Sequence, residues 1–304
     1  MRTPALVVAV AAVGLLVGCV QPAQPTPTPT PTVSEVTVDL TAPGQARSMV
    51  RRLIAKAGTP QLIQVEITQQ WAAITVVKNE QPETWAWRDN TVKQVDSDVA
   101  YVQQRVFSID DFNISDVGAL FRAASGISGS ESSQELQIVD SSAGDLFMSV
   151  STNPESRTVF FYPSGALLPT LDFNTEGGIR AGLDDVIGSR STALAIGVQS
   201  TLGAWLDLTG SDTTTIRRLR TATVPVTINE RSGRPDLPPF SVSRLRAEAI
   251  WQVLSQARQR GDFDASTRWQ VTVDDRARLG GPRMYFTIGN DSFVTDLTGH
   301  EINP

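Results

Sequence analysis

VRRLIAKAGTPQLIQVEITQQWAAITVVKNEQPETWAWRDN, residues 50–90, changes its hydrophobic period partway along. Val50, Leu53, Ile54 and Ala57 stand at i, i+3, i+4 and i+7, the stripe of an amphipathic helix. From Ile63 the spacing drops to two. Ile63, Val65 and Ile67 alternate with Gln64, Glu66 and Thr68, as in a strand that is dry on one face and wet on the other. Two further strand-like runs follow, divided by the turn-forming stretch Asn79 to Pro82 and closed by Asp89-Asn90. The segment predicts one helix followed by antiparallel strands.

The same order recurs three times. Val117, Leu120, Phe121 and Ala124, behind a Ser115 cap, precede a strand through Leu136 and Ile138. Ile179, Leu183, Val186 and Ile187 precede Leu194, Ile196 and Val198. A longer stripe, Leu245, Ala249, Ile250, Val253, Leu254 and Ala257, precedes Trp269, Val271 and Val273. The first strands start at residues 63, 136, 194 and 269, so the repeat is one of pattern with irregular spacing. A sheet with one apolar face needs a cover, and one helix per three strands supplies it. The expected fold class is α+β: tandem units of one helix followed by three or four antiparallel strands, with the helices packed on one face of the sheets. Two units join into a pair, giving α+β domains over 34–173 and 174–304 with a break near Phe173 to Gly178. Helix-then-strands units in tandem resemble the PepSY-like and β-lactamase-inhibitory-protein-like folds, which implies a fold and no activity.

The first thirty residues read differently. Arg2, an apolar run from Ala5 to Val17, and Gly18 before Cys19 have the layout of a secretory signal. The run is too short for a spanning helix, which needs about 20 apolar residues. Leu16-Val17-Gly18-Cys19 resembles the lipobox of bacterial lipoproteins. That resemblance implies a signal peptide over 1–18, cleavage before Cys19, and acylation of its thiol, so that the chain is lipid-anchored on the extracytoplasmic face of the cell membrane. Residues 19–33 then form a linker in which Pro and Thr alternate, a composition that favours extended polyproline II. Cys19 is the one cysteine, so the body holds no disulfide and relies on its core.

Without Arg2 the chain has 25 basic against 32 acidic residues, a balance that speaks against a nucleic-acid partner. Three lysines against 23 arginines fit a GC-rich, actinobacterial type of coding genome. Catalytic sets are scarce. The single histidine, His300, sits in a turn-like tail, and Gly126-Ile127-Ser128-Gly129-Ser130 falls short of a nucleophile elbow and reads as a flexible turn. The acidic pairs Asp96/Asp98, Asp110/Asp111, Asp184/Asp185, Asp262/Asp264 and Asp274/Asp275 lack the spacing of a calcium loop, and no metal or cofactor is implied.

Two features bear on binding. Trp85 and Trp87 share one face of a strand, with Phe160 and Tyr162 in the comparable places of the second unit. They form either a candidate binding face for a protein loop or sugar, or core beneath a helix. Arg217-Arg218-Leu219-Arg220 is basic in an acidic chain and reads as a solvated strand or a contact for anionic groups. The leading expectation is a membrane-anchored, non-enzymatic interaction module of the cell envelope, partnered by the bilayer and by an envelope protein or ligand. Alternatives are a carrier of lipid or another apolar ligand, and a hydrolase working with two carboxylates. Mass spectrometry of the purified protein is expected to show Cys19 as a diacylglycerol-bearing N-terminus; an intact Gly18–Cys19 bond would overturn the anchor.

Overall fold

The computed structural model describes residues 38–97, 105–140, 146–154, 157–233, 235–262, 264 and 266–302. The signal peptide, Cys19 and the Pro/Thr linker lie outside these residues. Helix α1 (Gln45–Ala57) precedes strands β1 (Leu62–Ile67), β2 (Ala72–Lys78), β3 (Gln81–Arg88) and β4 (Thr91–Val95). Helix α2 (Val117–Ser128) precedes β5 (Glu135–Asp140), β6 (Leu146–Ser151) and β7 (Val159–Phe161). Helix α3 (Glu176–Ile187) precedes β8 (Thr192–Ala193), β9 (Ala195–Gln199), β10 (Gly203–Thr209), β11 (Thr214–Arg220) and β12 (Thr227–Ser232). After β13 (Phe240–Ser241), helix α4 (Ala247–Arg260) precedes β14 (Trp269–Asp274), β15 (Arg283–Ile288) and β16 (Asp291–Thr295). The class is α+β, with the helix-then-strands order present four times. No helix among the described residues is long and apolar enough to cross a membrane.

The units join through their first strands. β1 pairs antiparallel with β5, giving a seven-stranded sheet in the order β4-β3-β2-β1-β5-β6-β7. β9 pairs antiparallel with β14, giving β12-β11-β10-β9-β14-β15-β16 in the same arrangement, while the short β8 and β13 pair separately. Register carries apolar side chains straight across the first sheet. One row runs Val92, Trp87, Ala72, Ile67, Leu136, Val150, Val159, and the next runs Trp85, Ile74, Val65, Ile138, Met148, Phe161. Val50, Leu53 and Ala57 of α1 and Val117, Leu120 and Phe121 of α2 complete that core. A second, separate core gathers α3 and α4 over Ile196, Val198, Val271, Val273, Met284 and Phe286. Leu171 and Phe173 belong to it, so the changeover falls a few residues before the expected break after residue 173. Thr37–Pro304 holds together as one compact unit.

Local chemistry explains the ends. Asn79-Glu80 and Asp89-Asn90 both have positive φ at the two central positions, the type I′ geometry whose twist matches paired strands. α1 stops at Gly58, whose left-handed φ of 77° lets its N–H reach the Ile54 carbonyl at 2.9 Å. The cap of α2 is Asp116, not Ser115: its carboxylate accepts from Ala119 N at 2.7 Å, and the Ser115 hydroxyl turns to Asn113 Oδ1. A carboxylate at the helix start is favoured over a hydroxyl by the macrodipole. In β1 a register shift between Leu62 and Gln64 places Leu62, rather than Ile63, in the core cluster with Val65.

Ile138 is fully buried in the middle of a row, while its neighbour Val139 points away and is 37% exposed. Ile138→Ala is expected to cost about 2–5 kcal/mol in urea unfolding and Val139→Ala less than about 0.5.

Candidate functional site

A cleft of about 800 Å³ opens beside the first sheet, where four segments converge. The β1–β2 turn forms one wall. It is pinned by Trp71 N–H donating to Thr68 Oγ1 at 3.1 Å and by Leu40 N–H donating to the Gln69 carbonyl at 2.9 Å. The start of α2 forms the next. Gly118 N–H donates to the Thr41 carbonyl at 3.2 Å, and a Cβ on Gly118 would lie 2.6 Å from that oxygen, so a side chain here would push α2 off the segment. The loop after α2 forms the third. Gln134 folds back onto the helix, its amide donating to the Phe121 carbonyl at 2.9 Å and to Ser125 Oγ at 3.1 Å. Asn153 closes the rim.

The lining is chemically mixed but mainly polar. Hydroxyls and carboxamides come from Thr41, Thr68, Gln69, Gln70, Ser125, Ser133, Gln134 and Asn153, with one indole, one guanidinium and two carboxylates from Trp71, Arg122, Glu131 and Glu135. Arg122 is three-quarters exposed and only loosely held, 3.9 Å from Asp116 Oδ2. The Arg88 guanidinium lies 4.7 Å from the Trp71 ring centre, a cation–π contact that steadies the indole. Such a surface offers many neutral donors and acceptors beside the aromatic side chains of Trp71 and Phe121. It suits a polar, hydrogen-bonding ligand better than an apolar one.

The residues singled out in the sequence fall elsewhere. Cys19 and the lipobox residues Leu16, Val17 and Gly18 lie outside the described residues. Trp87 is 3% exposed in the first core, and the half-buried Trp85 packs against it beneath α1, so this pair does not form an open aromatic platform. In β7 the core-facing side chains are Val159 and Phe161; Phe160 and Tyr162 are not the counterparts of the tryptophans. Three aromatic residues in succession, Phe160, Phe161 and Tyr162, conceal which face each takes. Ser128 ends α2, and Gly129 caps it with φ of 73°, so the GISGS stretch is a helix end instead of a flexible turn.

His300 is four-fifths exposed, with Nδ1 2.7 Å from Thr298 Oγ1 and 3.8 Å from Asp296 Oδ2. The Thr298 hydroxyl holds the Asp296 carboxyl below the usual carboxylate range. Asp98 lies outside the described residues, and one member of each of four other pairs is held in an ion pair. Asp110 meets Arg47 and Arg51, Asp185 meets Arg220, Asp262 meets Arg260, and Asp274 meets Arg276. Hydrogen bonds from Ser266 and Thr267 bring Asp264 down to about 2. Among the described residues, no three His, Cys, Asp or Glu side chains converge as a metal site.

The basic run Arg217-Arg218-Leu219-Arg220 is neither a solvated strand nor a free anion contact. Arg218 and Arg220 point inward at 3% and 1% exposure, on the third strand of the second sheet, where the first sheet carries Trp85 and Trp87. Arg218 Nε donates to the Val186 carbonyl at 2.7 Å, at the end of α3. Arg220 donates to Asp185 Oδ2 at 2.8 Å and to the carbonyls of Val224 and Pro169 at 2.7 and 3.0 Å. Arg217 faces the other side, bidentate to Asp207 with both bonds at 2.6 Å and 4.0 Å from the Trp205 ring centre.

No family model matches the chain, and no curated protein is similar to it. Two solved structures to which it bears a likeness are Helicobacter pylori beta clamps. The one in complex with 5-chloroisatin has 11% identity over 84% of this chain and 63% of that one, with a TM-score of 0.14. The one bound to a DNA ligase peptide has 12% identity over 82% and 65%, also at 0.14. The chain spans less than two thirds of either clamp. At that score the likeness carries no argument.

Arg220→Leu strips the end of α3 and the Pro169 carbonyl of their buried donor, and is expected to cost about 3 kcal/mol by thermal or urea unfolding. A loss of under about 0.5 kcal/mol would show that those acceptors rehydrate freely.

Proposed function

We propose that the chain is an exported, lipid-anchored binding module of the bacterial cell envelope that takes a polar ligand or a polar loop of an envelope protein in the cleft between the β1–β2 turn and α2. The observation that carries this reading is the cleft itself: four chain segments hold Trp71, Arg122 and a ring of carboxamides around one volume of about 800 Å³. The lipobox-like Leu16-Val17-Gly18-Cys19 and the Pro/Thr linker support the anchor and the spacer. The polar lining favours a hydrogen-bonded ligand over the apolar cargo of a lipid carrier. Of the two carboxylates in the cleft, Glu135 is taken up locally, accepting from the Gln137 amide at 2.7 Å.

The test is capture from envelope extracts and from panels of soluble glycans and peptides. Trp71→Ala with Arg122→Ala is expected to weaken capture by at least about tenfold with the melting temperature kept. Capture unaffected by the pair would move the site elsewhere. Turnover of any envelope substrate by the purified protein would refute the non-enzymatic reading.

A further inference from the structure

The charge of the first half is sorted, and α1 is where it is sorted. Residues 34–173 contain ten basic and seventeen acidic side chains; α1 carries four of the ten, Arg47, Arg51, Arg52 and Lys56, and none of the seventeen. Its apolar stripe of Ala46, Met49, Val50, Leu53 and Ala57 is turned to the sheet. The basic residues therefore fall on the outward half, where Arg51, Arg52 and Lys56 are exposed and Arg47 is half-buried. At about 100° per residue, Arg47 and Arg51 line one flank, Arg52 and Lys56 the other. Two small exposed residues, Ser48 and Ala55, lie between them.

The groups facing this helix leave it positive. Asp110, in the turn Ile109–Asp111, meets Arg47 Nη1 at 3.2 Å and Arg51 Nη2 at 2.8 Å, so one carboxylate answers two guanidinium groups on that flank. Its neighbour Asp111 accepts from the backbone of Ser108, capping the same turn.

We infer that the outward face of α1 rests on the anionic headgroups of the bilayer. The inference rests on reading Cys19 as the anchor. A ridge of small residues lets the helix approach the surface closely, while the long cationic side chains on both flanks reach sideways to phosphates. Each basic side chain near an anionic surface strengthens binding by about fivefold, so three net charges make a weak site for a free protein. Tethering changes that. Only 25 residues separate Cys19 from Gln45, and a linker of that length holds a second contact at roughly millimolar local concentration. A weak contact then sets the orientation of the body. The opposite face of the first sheet, where Ala73, Thr75, Thr84 and Ala86 are buried and Gln64 and Glu66 half-buried, would look away from the bilayer.

The experiment places residues 20–304, which hold every described element, on vesicles through an N-terminal hexahistidine tag and a nickel-chelating lipid. The chain then has no cysteine, so Ser48→Cys on α1 and Ser292→Cys on β16 each give a unique site for a fluorophore, read by a headgroup-bound quencher lipid. On vesicles of phosphatidylglycerol and phosphatidylcholine, quenching at 48 is expected to exceed that at 292 by about fivefold or more. The excess should fall on pure phosphatidylcholine, in about 0.5 M salt where screening shortens to a few ångströms, and on Arg51→Glu, Arg52→Glu and Lys56→Glu together. Equal quenching at the two sites on anionic vesicles, or an excess at 48 that survives the triple reversal, would overturn the proposal. Those three positions are exposed, so an unchanged melting temperature checks the fold of the triple variant. Because the nickel lipid stands in for the acyl chains, failure here counts against docking by α1 alone. An unacylated Cys19 in the mass spectrum counts against the anchor alone.

Discussion

The structure depends on the pairing of first strands. A unit of one helix and three or four antiparallel strands leaves its first strand with an unpaired edge, and an open row of backbone donors and acceptors invites unwanted association. Pairing β1 with β5, and β9 with β14, turns those edges into the centres of seven-stranded sheets. The apolar rows then continue from one unit into the next without a break, so that two helices share one core. In the second sheet the shared cover is reinforced at its surface, where Arg180 of α3 reaches Glu248 of α4 at 2.6 Å. The cleft follows from the same pairing. It brings the β1–β2 turn of one unit against α2 of the next, and neither unit alone contains both walls.

Much of the architecture was legible because it is written in periodicity. The stripe of Val50, Leu53, Ile54 and Ala57 and the alternation through Val65 and Ile67 are local properties, as are the turns at Asn79 and Asp89. What failed to show were features decided by competition. Asp116 displaced Ser115 as a cap because a carboxylate gains from the helix dipole. Leu62 joins Val65 in the first core cluster because a bulge resets the alternation, while Ile63 is buried outside that cluster, and two adjacent large apolar residues give the pattern no preference. The cleft was illegible for another reason. Thr41, Trp71, Arg122, Gln134 and Asn153 stand far apart in the chain and carry ordinary surface chemistry, so only the fold assembles them. The segment Thr68-Gln69-Gln70-Trp71, a polar turn ending in tryptophan, was the one local hint.

The two sheets solve the same packing problem with opposite chemistry. On the third strand, beneath the helix, the first sheet uses Trp85 and Trp87 and the second uses Arg218 and Arg220. Indole rings fill the space by area alone. The guanidinium groups fill it while serving backbone carbonyls that the end of α3 and the chain near Pro169 would otherwise leave dry. Burying charge is costly unless every donor is answered, and here the acceptors are mostly peptide oxygens.

That choice of acceptors leaves most of the described contacts of the joint indifferent to acid. A guanidinium keeps its proton at any pH a bacterium survives, and a peptide carbonyl has none to gain, so among the contacts described for Arg218 and Arg220 only Asp185 can titrate. A histidine or a network of carboxylates in the same place would loosen with each swing of the medium. For a body proposed to stand outside the cytoplasm, where no cell buffers its surroundings, the described contacts that fasten the second sheet are mostly ones that acidity cannot switch off.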